Sequence, residues 1–231
     1  MEGNEKEITL KIDGLDVKAI EGTAILDAAK KLGINIPTLC HNSALEPFGS
    51  CRVCSVEITD NRGRKKIVTS CNYPVSEGLV VDTKNEKVYR TRQLLLELLL
   101  ARCPNAKKIQ NLAREYGIEK PKFWVGDPEE DCILCGLCAR VCDELVGVSA
   151  INFANRGVER EVTAPYHTIS DDCVGCGACA IVCPTDSKKV RINTYPTLEE
   201  DLRKAEEQFL KGSRDELLGV STEIFAAKIS V

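Results

Sequence analysis

Two near-copies of one cysteine pattern constrain this chain more than any other feature. The first copy is Cys132, Cys135, Cys138 and Cys142; the second is Cys173, Cys176, Cys179 and Cys183, followed by Pro184. Both read C-x2-C-x2-C-x3-C. Three cysteines at two-residue gaps can wrap one iron–sulfur cubane corner by corner, while the fourth lies a turn further on and points away, toward a second cubane. The pattern therefore predicts crossed ligation. Cys132, Cys135, Cys138 and Cys183 would hold one [4Fe–4S] cluster, and Cys142, Cys173, Cys176 and Cys179 the other. Gly136, Gly175 and Gly177 suit loops that need unusual φ angles and a close approach of backbone N–H groups to sulfur.

Thirteen cysteines in 231 residues is a high count, yet below the density of a small secreted disulfide scaffold. The count is odd and the spacings are those of metal ligands. Met1–Asp13 is charged and then alternates, without the apolar stretch of a signal peptide. A reducing, cytoplasmic compartment with thiolate ligands is expected. A net charge of −4 gives no electrostatic case for nucleic acid or an anionic membrane. The longest apolar run, Leu94–Ala101, is interrupted by Glu97 and is far too short to span a bilayer, which takes roughly 18 residues or more.

Residues 1–82 read as a first domain. Ile8, Leu10 and Ile12 alternate with polar residues as in a half-buried strand. Asp13-Gly14 predicts a hairpin turn into Asp16–Ile20. Thr23 is placed to cap a helix over Ala24–Leu32, stopped by Gly33. Val53–Ile58 and Lys66–Ser70 flank a turn at Asp60–Gly63. Two strands, a helix, a loop and more strands suggest a β-grasp module. Its cysteines, Cys40, Cys51, Cys54 and Cys71, follow C-x10-C-x2-C-x16-C. Four thiolates can hold a [2Fe–2S] rhomb, two per iron. A structural zinc site is the alternative for these four. His41 adjoins Cys40, but with four cysteines available it reads as a surface or cluster-shielding side chain.

The segments Pro37-Thr38-Leu39-Cys40-His41 and Gly49-Ser50-Cys51-Arg52-Val53-Cys54 resemble the N-terminal domain of the large iron–sulfur subunit of respiratory complex I. The same module occurs in the small diaphorase subunit of NAD-linked hydrogenases and in bifurcating hydrogenases and transhydrogenases. The double cysteine run is that of the bacterial two-cluster ferredoxins, and Ala150–Gly157 with the insertion to Pro165 also resembles these families. The fold class implied is α+β. It comprises an N-terminal β-grasp [2Fe–2S] ferredoxin-like domain (1–82), a helical connector (83–126), a two-[4Fe–4S] bacterial-ferredoxin-like domain (127–195) and a helical tail (196–231).

The connector is where the family pattern breaks. Val88–Arg102 reads as a Leu-rich helix with little polar face, expected to be buried between modules or against a partner. In the families named above, an extra [4Fe–4S] cluster follows, held through H-P-x-x-C-x-x-C-x5-C. Here the corresponding stretch is Ala101-Arg102-Cys103-Pro104-Asn105-Ala106-Lys107-Lys108, and Cys103 stands where the histidine would be. One thiol cannot hold a cluster, so that site is expected to be empty and Cys103 a buried, inert thiol. In the tail, Thr197-Leu198-Glu199-Glu200 is a capping box, and Leu198, Leu202, Ala205 and Phe209 share one helix face.

No dinucleotide fingerprint, P-loop or His-Glu-x-x-His motif accompanies the cysteines. No catalytic residue is therefore assigned, and no cofactor-binding residue beyond the metal ligands. The resemblance implies an electron-transfer subunit of a multi-subunit soluble oxidoreductase, carrying one [2Fe–2S] and two [4Fe–4S] clusters. Its expected partners are a flavin/NAD(P)H-binding subunit and a further redox subunit or soluble ferredoxin. The setting would be that of a bifurcating transhydrogenase, hydrogenase or formate dehydrogenase. A stand-alone multi-cluster ferredoxin, a zinc-stabilised interaction protein and a redox sensor are the rival readings. The amphipathic tail and the Leu-rich helix, which offer faces for partners, speak against the first.

Overall fold

The computed structural model describes residues 6–168 and 170–187. They fall into two compact units that divide between Leu137 and Cys138.

In the first unit β1 (Glu7–Ile12) and β2 (Leu15–Ile20) form an antiparallel hairpin with Ile12 opposite Leu15. Asp13 and Gly14 both take positive φ, 50° and 85°, as a two-residue hairpin turn matched to strand twist requires. The turn is tethered from outside: the backbone N–H and the hydroxyl of Thr83 donate to the two Asp13 carboxylate oxygens, at 2.7 and 2.6 Å. Strands β3 (Ser55–Thr59), β4 (Lys65–Thr69) and β5 (Val80–Asp82) complete a five-stranded sheet in the order β2-β1-β5-β3-β4. Only the β1–β5 pairing is parallel.

Helix α1 (Ile25–Lys31) covers one face of this sheet. It buries Ile25, Leu26, Ala28 and Ala29 in a core with Ile8, Leu10, Val56 and Val81. The helix starts without the expected side-chain cap. The Thr23 hydroxyl donates instead to Ile20 O at 2.7 Å, and Ala24 is the N-cap residue.

Helix α2 (Glu86–Arg102) begins at Asn85, whose side chain accepts the N–H of Val88. Its inner stripe is Val88, Arg92, Leu96 and Leu100, four residues spaced i, i+4 along one face. Leu94 and Leu98 are about half exposed, at 50% and 46%. The leucine run is thus not enclosed on all sides, and the inner face includes charged residues. Arg92 reaches the Ser55 carbonyl, and the buried Glu97 pairs with Lys122 at 2.7 Å. Helix α3 (Lys107–Glu115) follows and packs Ile109 and Ala113 inward.

Helix α4 (Leu137–Arg140) continues into a wider turn over Val141–Leu145. In the second unit β6 (Asn152–Ala154) pairs antiparallel with β7 (Glu161–Thr163), and α5 (Ala178–Ile181) carries Cys179. The expected tail helix and its capping box at 196–231 lie outside the described residues.

Candidate metal centres

Cys40, Cys51, Cys54 and Cys71 are brought together inside the first unit. Cys40, Cys51 and Cys54 lie on the long loop between α1 and β3, and Cys71 follows β4 after Ser70. All four are buried, at 1–6% exposure. The loop between Cys51 and Cys54 turns at Arg52, which adopts φ 58°; Ser55 returns both its N–H and its hydroxyl to the Arg52 carbonyl.

The sulfurs are arranged in two pairs. Cys40 and Cys51 share a side-chain hydrogen bond, and the Cys51 N–H also donates to Cys40 Sγ at 3.3 Å. Cys54 and Cys71 form the second pair. The hydrogen bond from Cys51 lowers the Cys40 thiol to about 6, against the opposing effect of burial. The hydrogen bond from Cys71 does the same for Cys54, also to about 6. Cys51 and Cys71, which supply those protons and are themselves buried, are pushed up. Two juxtaposed thiol pairs suit two irons with two thiolates each.

A second observation bears on the fit. Among the described residues only two buried side-chain polar atoms lack a hydrogen-bond partner, His41 Nδ1 and Ser70 Oγ. One adjoins Cys40 and the other adjoins Cys71. Leaving such a group unsatisfied costs about 1–3 kcal/mol, and both belong to residues next in sequence to candidate ligands, whose sulfurs a cluster would make strong acceptors. His41 Nε2 lies 3.4 Å from the Lys30 ammonium, which only donates. A neutral imidazole that accepts there through Nε2 carries its proton on Nδ1. Burial first and the Lys30 charge second depress its pKa. The residues present thus fit an iron–sulfur group.

One hydrogen bond joins this site's loop to the start of the first cysteine run, and helix α2 is bonded to both, all within the first unit. The Ser50 hydroxyl donates to Leu134 O at 3.1 Å, joining the neighbours of Cys51 and Cys135. Arg92 clamps Ser55 O through Nε and Nη2, at 3.0 and 2.8 Å. At the far end of the same helix, Arg102 Nε donates to Cys132 O at 2.7 Å. Spacing rules single out none of these residues, because serine and arginine carry no ligand signal.

In the second unit an apolar pocket is lined by Cys142, Cys173, Cys176 and Cys179 together with Val146 and Ile151. One cysteine of the first run and three of the second therefore face the same space. Cys142 Sγ accepts the N–H of Ala150 at 3.3 Å, and burial, followed by the nearby Cys176, raises the Cys179 thiol. Gly136, Gly175 and Gly177 adopt φ of 79°, 67° and 73°, which a residue with a Cβ rarely takes. Of the four other cysteines of the two runs, Cys132 and Cys135 belong to the first unit and Cys138 and Cys183 to the second. Cys135 and Cys138 are buried, and Cys132 and Cys183 are half-buried.

Cys103 ends α2, wholly buried. Burial first and the Glu130 charge second push its thiol up to about 12, so it stays protonated and unreactive through the neutral range. The chain's two histidines are His41 and His167, and neither lies in this connector.

No cysteine is in a disulfide. Among the described residues no three His, Cys, Asp or Glu side chains converge as one metal ion requires; a cluster spreads its thiolates over several irons, so its ligands need not do so. No described helix is long and apolar enough to cross a membrane.

A 2Fe-2S iron-sulfur cluster binding domain family matches residues 5–86, and a 4Fe-4S dicluster domain family matches residues 131–187. The chain is 41% identical over 174 residues to the NADPH-Fe(3+) oxidoreductase subunit alpha of Geobacter sulfurreducens, covering 65% of this chain and 20% of that protein. It is 34% identical over 178 residues to the NADP-reducing hydrogenase subunit HndD of Solidesulfovibrio fructosivorans, covering 65% and 30%. The chain thus spans a fifth to less than a third of these curated relatives' length. Among solved structures, an NAD+-reducing [NiFe]-hydrogenase in the H2-reduced state superposes with a TM-score of 0.60 at 30% identity, covering 68% of this chain and 75% of that one.

Proposed function

We propose, for a chain that belongs to the family of iron–sulfur electron-transfer subunits of NAD(P)H-linked oxidoreductases and hydrogenases, that it relays single electrons within such a complex. Its donor and acceptor would be a flavin-bearing subunit that handles NAD(P)H and a further redox subunit. The clusters would number one [2Fe–2S], on Cys40, Cys51, Cys54 and Cys71, and two [4Fe–4S]. The latter would be held by Cys132, Cys135, Cys138 and Cys183, and by Cys142, Cys173, Cys176 and Cys179. A bound iron–sulfur cluster supplies one-electron chemistry at a potential tuned by burial and by hydrogen bonds to sulfur.

The chain's own residues would hold these groups, keep water from them and fix their spacing. The four-part division at 82, 126 and 195 goes with this reading. The observation that supports it most is the Ser50–Leu134 hydrogen bond, because it makes the loop of the first site touch the loop that opens the cysteine run. Helix α2 supports the same contact as a rod. It is bonded to Ser55 at Arg92 and to Cys132 at Arg102, ten residues and about 15 Å apart along the axis.

The test uses the complex purified anaerobically with its co-purifying subunits. NAD(P)H should reduce the clusters of this chain, read by EPR after freeze-quench, only when the flavin subunit is present. Electron delivery to the acceptor subunit should stop when this chain is omitted. Delivery that persists without the chain would sink the proposal.

A further inference from the structure

Ser70 is wholly buried, and its backbone is satisfied at both ends. Its N–H donates to Cys54 O at 3.2 Å, and its carbonyl accepts the N–H of Leu26 at 2.9 Å. Only the hydroxyl is left over, with no hydrogen-bond partner of ordinary geometry. A buried hydroxyl without an acceptor is costly, and an alanine would fill the position without that penalty. The backbone bond to Cys54 fixes where the hydroxyl sits, on the strand end that leads into Cys71 and across from Cys54. Ser70 lies across from Cys54, one step beyond the Ser55–Thr69 pair of the β3–β4 ladder, so the sulfur its hydroxyl faces as a cross-strand neighbour is that of Cys54.

We infer that Ser70 is a positioning residue of the [2Fe–2S] site: its hydroxyl donates to the Cys54 thiolate and raises the potential of the cluster held there. The inference rests on the reading of Cys40, Cys51, Cys54 and Cys71 as ligands of that cluster. Reduction adds one electron and moves no atom. The added negative charge spreads onto sulfur, so a donor to that sulfur stabilises the reduced form more than the oxidised one. Removing the donor therefore lowers the potential. Nothing else in the sequence marks this serine, which is neither a ligand nor part of a cysteine run.

The experiment is an EPR-monitored redox titration of the full chain, purified anaerobically and poised with dithionite and mediators, for wild type, Ser70→Ala and Ser70→Thr. Ser70→Ala should keep its iron and its [2Fe–2S] signal. Its reduction equilibrium constant should fall about tenfold, a downward shift of about 59 mV for one electron. Ser70→Thr, which keeps the hydroxyl, should titrate as wild type. Deuterium exchange should also shift the Fe–S(Cys) stretching bands more in wild type than in Ser70→Ala, where only donors such as the Cys51 N–H to Cys40 Sγ remain. Should the alanine variant not load iron, Ser70→Val takes its place against Ser70→Thr, the two being alike in shape and different in the hydroxyl. Equal potentials for the variants with and without the hydroxyl overturn the inference while leaving the cluster assignment standing. A wild-type chain with no [2Fe–2S] signal overturns the assignment and the inference with it.

Discussion

At the scale of residues, a few polar side chains hold the first site's surroundings in place. Glu57 is nearly buried on β3, yet it accepts from Lys87 Nζ and from Asn85 Nδ2, both at 2.8 Å. The Lys87 hydrogen bond is the main reason its carboxyl titrates below the ordinary carboxylate range, burial acting in the opposite sense. A carboxyl depressed in the folded state stabilises fully above its unfolded value of about 4.3, and that contribution is lost as pH falls through the folded value. Glu57→Gln should therefore cost about 1 kcal/mol near neutral pH and progressively less below about pH 4. Anaerobic urea titrations of both proteins across that window, followed by far-ultraviolet circular dichroism because acid releases cluster sulfide, check it. A gap that stays constant into acid would show that the carboxylate charge is not what holds α2 to the sheet.

At the scale of elements, α2 separates what packs from what merely looks apolar. Leu96 is fully buried and Leu98 is 46% exposed, two residues apart in a run of leucines. Leu96→Ala should destabilise by about 2–5 kcal/mol, and Leu98→Ser by roughly 0.5 kcal/mol or less; matched unfolding titrations distinguish them. The run hides this difference because leucine occupies both faces, so periodicity has nothing to detect. The inward charges complete the pattern only through distant partners, Ser55 O for Arg92 and Lys122 for Glu97. Where the determinants are local, the sequence is readable. Asp13-Gly14 sets its own hairpin, and the alternation of Ile8, Leu10 and Ile12 becomes the buried face of β1. Strand β5 is three residues long and owes its place between β1 and β3 to long-range pairing, so no local signal announces it. Cysteine spacing likewise makes candidate ligands legible, since each gap is a geometric statement about the group enclosed. Ser50, Ser70 and Arg92 are not legible that way, because their partners are backbone carbonyls and a sulfur brought near only by folding.

At the scale of the molecule, the described elements are arranged around the cysteines. The β-grasp sheet delivers Cys71 from β4 and leads Cys51 and Cys54 into β3, α2 spans from that site to Cys132, and the second unit gathers Cys142 with Cys173, Cys176 and Cys179 on one pocket. Cys103, buried and held protonated, has no place in this scheme as a ligand. The most direct measurement is iron, acid-labile sulfide and zinc on the full chain purified anaerobically, with EPR during stepwise reduction. The account predicts about ten iron and as many sulfides per chain, no zinc, one [2Fe–2S] signal and two interacting [4Fe–4S] signals. About fourteen iron would mean that Cys103 belongs to a fourth cluster, and about eight iron with one zinc would make the N-terminal site a structural knot; either result contradicts it.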